Sequence, residues 1–212
     1  MFSTSISFLH KNVQSLLPKL DLIVAEYEDF DILSFTETWL NGNNSSDSVE
    51  LIHYQKPFRK DRGPIKSGGG VIVYVKENIY SKRRGDLEVP SVEVLWIQLK
   101  INNKMVLYGT LYVPPKGNNE IRTNIESSVE SAVTDVNCDR IIVTDFNDNL
   151  LNVANSKIHN ICTNYSLEQL IEDPTHFKEQ SSSLIDLIIT DNSDFVPDQI
   201  RYHCLVMGFI NA

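Results

Sequence analysis

Asp145 and Asn147 close the run RIIVTDFN, residues 140–147, in which Ile141, Ile142 and Val143 give way at once to an acid and then a carboxamide. A strand that ends so abruptly delivers polar side chains to one spot, and the same transition recurs along the chain. Asn12 follows the apolar stretch Ile6–Leu9, Glu37 follows Ile32–Phe35 in SFTETWL, and Tyr112 stands at the end of the run that leads into LYVPP. Asp186 sits inside SLIDLIIT, and His203 precedes the apolar run Cys204–Phe209. Glu37, Asp145, Asn12 and Asn147 are oxygen ligands or orienting groups of the type Mg²⁺ prefers. That ion needs only one or two carboxylates, because it keeps several waters and completes its shell from substrate phosphate. Attack of water on a phosphodiester needs a base beside the water and a cation on the phosphoryl oxygens. It also needs a donor where negative charge develops. A histidine held by a second carboxylate meets that need, and Asp186 with His203 would be such a pair.

Each of these residues also has a plainer reading. An acid after a strand, such as Asp145, serves as a turn former or helix cap, and Glu37 could cap a turn in the same way. Tyr112 could belong to the core with its hydroxyl at the rim, and His203 could be a hydrogen-bonded core histidine. Asp186, between apolar neighbours, has to find a partner because an unpaired buried carboxylate is costly. That partner serves structure as readily as catalysis. His10, His53, His159 and His176 carry no distinguishing context.

The elements that must position these groups are legible as apolar patterns. Strands are expected around Ile6–Leu9, Ile32–Phe35, Val71–Val75, Val94–Leu99, Val106–Val113, Ile141–Thr144, Leu184–Ile189 and Cys204–Phe209. EVLWIQLKI alternates, whereas RIIVTD is continuous and suits a strand covered on both faces. Helical spacing marks Ser15–Tyr27 and Glu120–Val136, the latter with Ile121, Ile125, Val129 and Val133 every four residues, and a shorter helix is expected over Asn155–Asn164. Gly68–Gly70 and Pro114–Pro115 mark turns. Strands outnumber helices, and the helices fall between groups of strands. That pattern indicates an α+β fold of two packed sheets with helices outside.

The chain has 212 residues with no composition break, so a single domain over residues 1–212 is expected. Its net charge of −9 argues against a protein that coats nucleic acid by charge alone. It leaves room for an enzyme that meets phosphate through a local patch and a metal ion. Cys138, Cys162 and Cys204 are few, widely spaced and odd in number, which points to a reducing compartment. No apolar stretch approaches the roughly 20 residues of a membrane span, and the first residues do not read as a signal peptide. An intracellular place, nuclear or cytoplasmic, with no membrane partner, is the expectation.

Taken in order, KNVQSL, ILSFTETWL, GGGVIVYV, LYVPP, IIVTDFN, SLIDLIIT and a closing His-x-x-Val resemble the endonuclease/exonuclease/phosphatase superfamily. Within it the chain is similar to the apurinic-type endonuclease domain of non-LTR retrotransposons of the LINE, CR1 and jockey type. The resemblance runs from about Ile6 to Phe209. It implies a four-layer α/β sandwich of two packed, mostly antiparallel β-sheets flanked by helices. It also implies a DNA endonuclease dependent on Mg²⁺ (or Mn²⁺) that nicks double-stranded DNA to prime a reverse transcriptase, normally on the same polyprotein. Asn12 and Glu37 match the family's amide and metal-binding acid. Tyr112 matches the tyrosine on the scissile phosphate, Asp145 the acid that activates water, and Asn147 the amide that orients it. Asp186 matches the acid that orients the final histidine, and His203 that histidine. Thr175 and Ser183 fall where relatives place DNA-contacting hydroxyls. The basic residues Arg59, Lys60, Arg62 and Lys66, with Lys82, Arg83 and Arg84, read either as a solvated loop or as contacts to the duplex backbone.

Two departures stand out. Thr144 replaces the glycine of the family's Gly-Asp-Phe-Asn, and Arg201-Tyr202-His203 replaces Ser-Asp-His. Tyrosine does not supply aspartate's charge near neutral pH, so an endonuclease impaired at Tyr202 is the expectation. The same fold also admits a silent DNA- or protein-binding remnant, or a phosphatase on a small phosphorylated substrate.

Overall fold

The computed structural model describes residues 6–63, 68–115, 117–151, 156–178, 181–193 and 206–210. Among the described residues, thirteen strands and three α-helices run in the order β1 (Ile6–Asn12), α1 (Leu20–Tyr27), β2 (Ile32–Thr36), β3 (Phe58–Lys60), β4 (Val71–Val75), β5 (Tyr80–Arg83), β6 (Glu93–Ile101), β7 (Lys104–Tyr112), α2 (Asn119–Val133), β8 (Asp139–Asp145), α3 (Lys157–Asn164), β9 (Glu168–Gln169), β10 (His176–Lys178), β11 (Ser181–Ser183), β12 (Asp186–Thr190) and β13 (Val206–Ile210). One sheet has the order β13-β1-β2-β4-β3 and the other β5-β6-β7-β8-β12-β9, while β10 and β11 form a separate hairpin. Pairing is antiparallel except for β1 with β2 and β7 with β8. A parallel pair requires a crossover; α1 supplies it in the first sheet and α2 in the second.

The sheets stack face to face. Phe8, Ile32, Val71 and Val73 of the first share one buried core with Tyr108 and Val143 of the second, and Phe8 meets Tyr108 edge to face. On the far side of the first sheet, Leu33, Phe35, Ile72 and Tyr74 pack with Ile23 and Tyr27 of α1. On the far side of the second, Trp96 is wholly buried and its indole N–H donates to Ser128 of α2. Gly109 lies opposite Trp96 because a Cβ there would stand 2.5 Å from the indole. The result is helix, sheet, sheet, helix: the expected four-layer α+β sandwich, with mostly antiparallel strands. No helix among the described residues is long and apolar enough to cross a membrane.

Where elements depart from the sequence expectation, tertiary bonds are responsible. A helix expected from Ser15 begins only at Leu20, after a 3₁₀ turn over Leu17–Lys19. The backbone N–H groups of Ser15 and Leu16 donate instead to the carbonyls of Glu37 and Thr38, and Ser15 takes φ +81°. Helix α2 stops at Val133 rather than Val136. Arg140, reaching back from β8, donates to the carbonyls of Ala132 and Val133 at 2.9 Å, satisfying the end of the helix with a charged cap. Five short strands, β3, β5, β9, β10 and β11, lacked any apolar run long enough to announce them.

Polar residues also occupy the buried face between the sheets. His10 is fully buried, with Nδ1 3.2 Å from the Ser34 hydroxyl, which lies 2.9 Å from the Tyr108 hydroxyl across the interface. Burial alone pushes the His10 pKa down to about 3, so the ring is neutral at neutral pH. Thr144, the residue in place of a family glycine, lies in β8 facing away from the first sheet, fully buried, and its hydroxyl has no hydrogen-bond partner among the described residues. An unpaired buried hydroxyl costs about 1–3 kcal/mol. Thr144→Val is therefore expected to raise stability by about 1 kcal/mol, read as a higher urea midpoint at unchanged m value.

Candidate active site

The two parallel pairs end at the same place. Asn12 is the last residue of β1 and pairs with Thr36, the last of β2; Glu37 follows immediately. In the other sheet Tyr112 ends β7, Asp145 ends β8, and the two are register partners. Asp186 opens β12 directly opposite Asp145. Strand pairing alone thus brings Tyr112, Asp145 and Asp186 into one row and sets Asn12 and Glu37 above it. These residues, with Lys11, Gln14, Trp39, Asn147, Thr175, His176 and Ser183, line a cavity of about 740 Å³.

Side-chain bonds tie the two sheets together at this spot. The Asn12 amide nitrogen donates to Asp145 Oδ2 at 2.7 Å, while its oxygen accepts from the Gln14 backbone at 3.2 Å. Glu37 Oε1 accepts from the Tyr112 hydroxyl, and Oε2 accepts from Gly69 N at 2.9 Å and from the Trp39 indole N–H. Asn147 is anchored through its amide nitrogen, which donates to Val113 O at 2.9 Å. Burial pushes the Asp145 carboxyl well above the ordinary carboxylate range. The neighbouring charges of Asp186 and then Glu37 add to the shift, and the Asn12 hydrogen bond opposes it. Burial also raises Asp186, against a hydrogen bond from Thr175.

Backbone strain is concentrated here. Gln14 (φ +43°), Ser15 (+81°), Glu37 (+55°), Trp39 (+57°) and Asn147 (+50°) occupy the loops that leave β1, β2 and β8. Such conformations cost about 1–3 kcal/mol each and persist only where surrounding bonds over-determine them. Those bonds are present. Ser15 N and Leu16 N donate to Glu37 O and Thr38 O, and Thr38 N and Trp39 N donate to Gly70 O and Gly69 O. Gly70 N donates in turn to Glu93, whose carboxylate is paired with Arg62 at 2.9 Å.

The site's chemistry suits a hard divalent cation. The acids Glu37, Asp145 and Asp186 offer oxygen donors, Asp145 Oδ1 is buried without a hydrogen-bond partner among the described residues, and the raised Asp145 and Asp186 carboxyls are ones whose ionisation a cation would favour. Among the described residues no three His, Cys, Asp or Glu side chains group closely enough to hold a metal by themselves. Magnesium does not require such a group, since one or two carboxylates suffice.

The other expected site residues are placed as follows. Thr175 is buried, and its hydroxyl oxygen accepts from Ile185 N at 3.2 Å and Asp186 N at 3.0 Å. Ser183, at the end of β11, lies on the cavity wall. Arg62 lies 5.5 Å from the Tyr112 ring centroid, directed there by Glu93. Arg59 bonds Asp61 and the carbonyls of Asn41 and Asn44. Lys60 donates to Val89 O at 2.7 Å and stands 3.7 Å from Glu88. Arg83 and Arg84 pair with Glu88 and with Asp86 and Asp135. His203, with Arg201 and Tyr202, and Lys66 lie outside the described residues; Val206, the first described residue beyond His203, pairs with His10. The Gly69–Gly70 clamp, Glu93 and Trp39 escaped the sequence reading. TETWL and the glycine run were visible, but nothing in the sequence joined them.

Several solved structures share this architecture. The endonuclease domain of TRAS1, a telomere-specific non-LTR retrotransposon, is 12% identical with a TM-score of 0.74, over 98% of both chains. AP endonuclease LMAP from Leishmania major is also 12% identical at a TM-score of 0.74, over 98% of this chain and 88% of that one. A mannosyl-6-phosphatase from Bacteroides thetaiotaomicron is 16% identical at 0.64, over 97% and 99%. At such identities the likeness establishes the fold. Among curated proteins no sequence matches. The model of the endonuclease/exonuclease/phosphatase family matches residues 9–208. That span takes in every group gathered at the cavity from Asn12 to Asp186, and by this match the chain belongs to the endonuclease/exonuclease/phosphatase family.

Proposed function

We propose that the chain is a DNA endonuclease of the non-LTR retrotransposon type, dependent on Mg²⁺ or Mn²⁺ and slowed by Tyr202. It nicks one strand of a duplex to leave a 3′-hydroxyl from which a reverse transcriptase, normally on the same polyprotein, begins synthesis. The observation that carries this reading is the convergence of Asn12, Glu37, Tyr112, Asp145, Asn147 and Asp186 on one open cavity. The TRAS1 domain is one solved example of the same fold.

A divalent cation held by Glu37 and Asn12 would neutralise charge on the phosphoryl oxygens. Asp145, whose burial and acidic neighbours raise its proton affinity, takes a proton from the attacking water. Asn147, fixed by its bond to Val113 O, orients that water. The new bond forms between the water oxygen and phosphorus, and the bond from phosphorus to the 3′ oxygen breaks; the departing oxygen takes a proton from solvent, giving a 3′-hydroxyl and a 5′-phosphate. The Tyr112 hydroxyl faces the scissile phosphate, and His203, oriented by Asp186, stabilises the charged phosphorane-like transition state. Lys11, whose ammonium donates to the Tyr27 hydroxyl at 3.3 Å, and Ser183 lie on the cavity wall, Ser183 as a DNA contact; Arg62, paired with Glu93, stands against the Tyr112 ring. Arg59 and Lys60, engaged with loop carbonyls and acids, brace the adjoining loop, and Thr175 holds the start of β12.

The replacement at Tyr202 favours a second reading, a DNA-binding domain that no longer cuts. Supercoiled-plasmid nicking with Mg²⁺ separates the two. The unmodified protein is expected to convert plasmid to open circles slowly, Tyr202→Asp faster by about tenfold or more, and Asp145→Ala not at all. Silence of both the unmodified protein and Tyr202→Asp would overturn the endonuclease reading and leave the binding domain.

A further inference from the structure

The chain's two tryptophans have opposite environments. Trp96 is fully buried, whereas Trp39 is 44% exposed on the rim of the cavity. An exposed indole is unremarked on most surfaces, but this one is held there against its backbone preference. Its φ of +57° is uncommon for a bulky residue. The backbone bond to Gly69 O at 2.9 Å enforces it. One edge of the ring is committed, since the indole N–H donates to Glu37 Oε2. That bond fixes the indole beside the carboxylate assigned to the metal and leaves ring surface facing the cavity. Lys11 lines the same cavity, and Gln14 follows Asn12 in it with φ +43°. The environment is therefore an aromatic surface open to water on the cavity rim, hydrogen-bonded to the carboxylate beside which the phosphate is placed.

We infer that Trp39 is a substrate-contacting residue that stacks its exposed ring on a nucleobase adjacent to the scissile phosphate. The inference rests on the endonuclease reading. A group bonded to Glu37 lies within about one nucleotide of a phosphate held at Glu37, which is the reach of a neighbouring base. Inside an intact duplex both faces of a base are covered, so the indole takes a base that unstacks at the cleavage site; once unstacked, every base offers a π face. The indole N–H bond fixes the ring beforehand, so little rotamer freedom is lost when a base arrives. A ring that served only to clamp Glu37 would have no need of its exposed surface.

The test uses the full chain in EDTA, so that binding is separated from cleavage, with a fluorescently labelled mixed-sequence duplex as the probe. Anisotropy of the label reports binding, and indole emission reports contact. Emission is expected to fall in step with the anisotropy rise, and Trp39→Phe, left with buried Trp96 alone, is expected to show no such quench. Trp39→Phe keeps a ring and most of the affinity, whereas Trp39→Leu binds about tenfold more weakly. With Mg²⁺ restored, Trp39→Leu raises KM by a comparable factor, a change that loss of the Glu37 bond alone, shared by Trp39→Phe, would not produce. Binding with unchanged emission, or equal affinity of the Leu variant, overturns the role of Trp39 while leaving an active endonuclease in place. Absence of both binding and nicking would remove the two readings together.

Discussion

Asp145→Asn is expected to make the cation-free protein more stable while reducing nicking by about a thousandfold or more. The carboxyl of Asp145 is buried, one oxygen has no hydrogen-bond partner among the described residues, and Asp186 sits directly across the strand pair. Ionising it in that place opposes folding, so its pKa in the folded protein is raised above the unfolded value near 4. Above pH 4 the unfolded chain has lost this proton while the folded chain retains it. Stability therefore falls as pH rises from about 4 toward the folded pKa, by up to about 1.4 kcal/mol per pH unit for each proton held. An amide at 145 carries no such proton, and its oxygen can still accept from Asn12. The gain in the variant should be least near pH 4 and grow as pH rises to 8, no more steeply than that slope. Saturating Mg²⁺ should narrow it, because a cation stabilises the native carboxylates that bind it. Urea denaturation in EDTA at the two pH values, with and without added Mg²⁺, measures each quantity. A variant less stable than the unmodified protein at pH 8 would mean that Asp145 is a structural anchor rather than a strained functional group.

The parts of this arrangement that the sequence disclosed are those governed by local patterning. Apolar runs that stop in Asn12, Glu37, Tyr112 and Asp145 mark strand ends, since a strand covered on both faces cannot continue through such groups without partners. What local pattern cannot disclose is which strand ends meet. The row Tyr112, Asp145, Asp186 follows from the register of β7, β8 and β12, a long-range property. The same limit explains the basic residues. Arg59, Lys60 and Arg62 stand together in FRKDR and read as an electrostatic patch. Their acidic and carbonyl partners include Glu93, Val89 and Asn41, well removed along the chain. Helix α1 begins late for a related reason, because the N–H groups of Ser15 and Leu16 are engaged by the loop after β2. His10 offered no signal at all. Its burial depends on β1 lying between β13 and β2 at the middle of a sheet interface.

Glu37 depends on a glycine 32 residues away, and a single methyl group there should disable the site. Gly69 has φ +69°, and a Cβ added to it would stand 2.2 Å from Glu93 Oε1 and 2.3 Å from Arg62 Cζ. Left-handed geometry costs an L residue about 1–2 kcal/mol. The clash adds more, because Glu93 is pinned by both Arg62 and Gly70 N and sits 7% exposed. Moving it disturbs a largely buried ion pair. Gly69→Ala is thus expected to lose about 3 kcal/mol of stability. The larger effect falls on catalysis. Gly69 N donates to Glu37 and Gly69 O accepts from Trp39, so displacing this peptide shifts the Glu37 carboxylate, the proposed metal ligand, and the indole together. A misplacement near 1 Å costs about a hundredfold in rate, and kcat should fall by that factor in protein that remains folded. Gly68→Ala is the matched control. Its φ of +89° imposes backbone strain as well, but its Cβ would meet only Arg62 Nη1 at 3.6 Å. The control should lose about 1 kcal/mol and little activity. Equal losses at both positions in thermal melts and plasmid nicking would mean that backbone strain accounts for the glycines. A deficit confined to Gly69→Ala would mean that the second sheet, through Glu93 and Arg62, sets the position of the acid on the first.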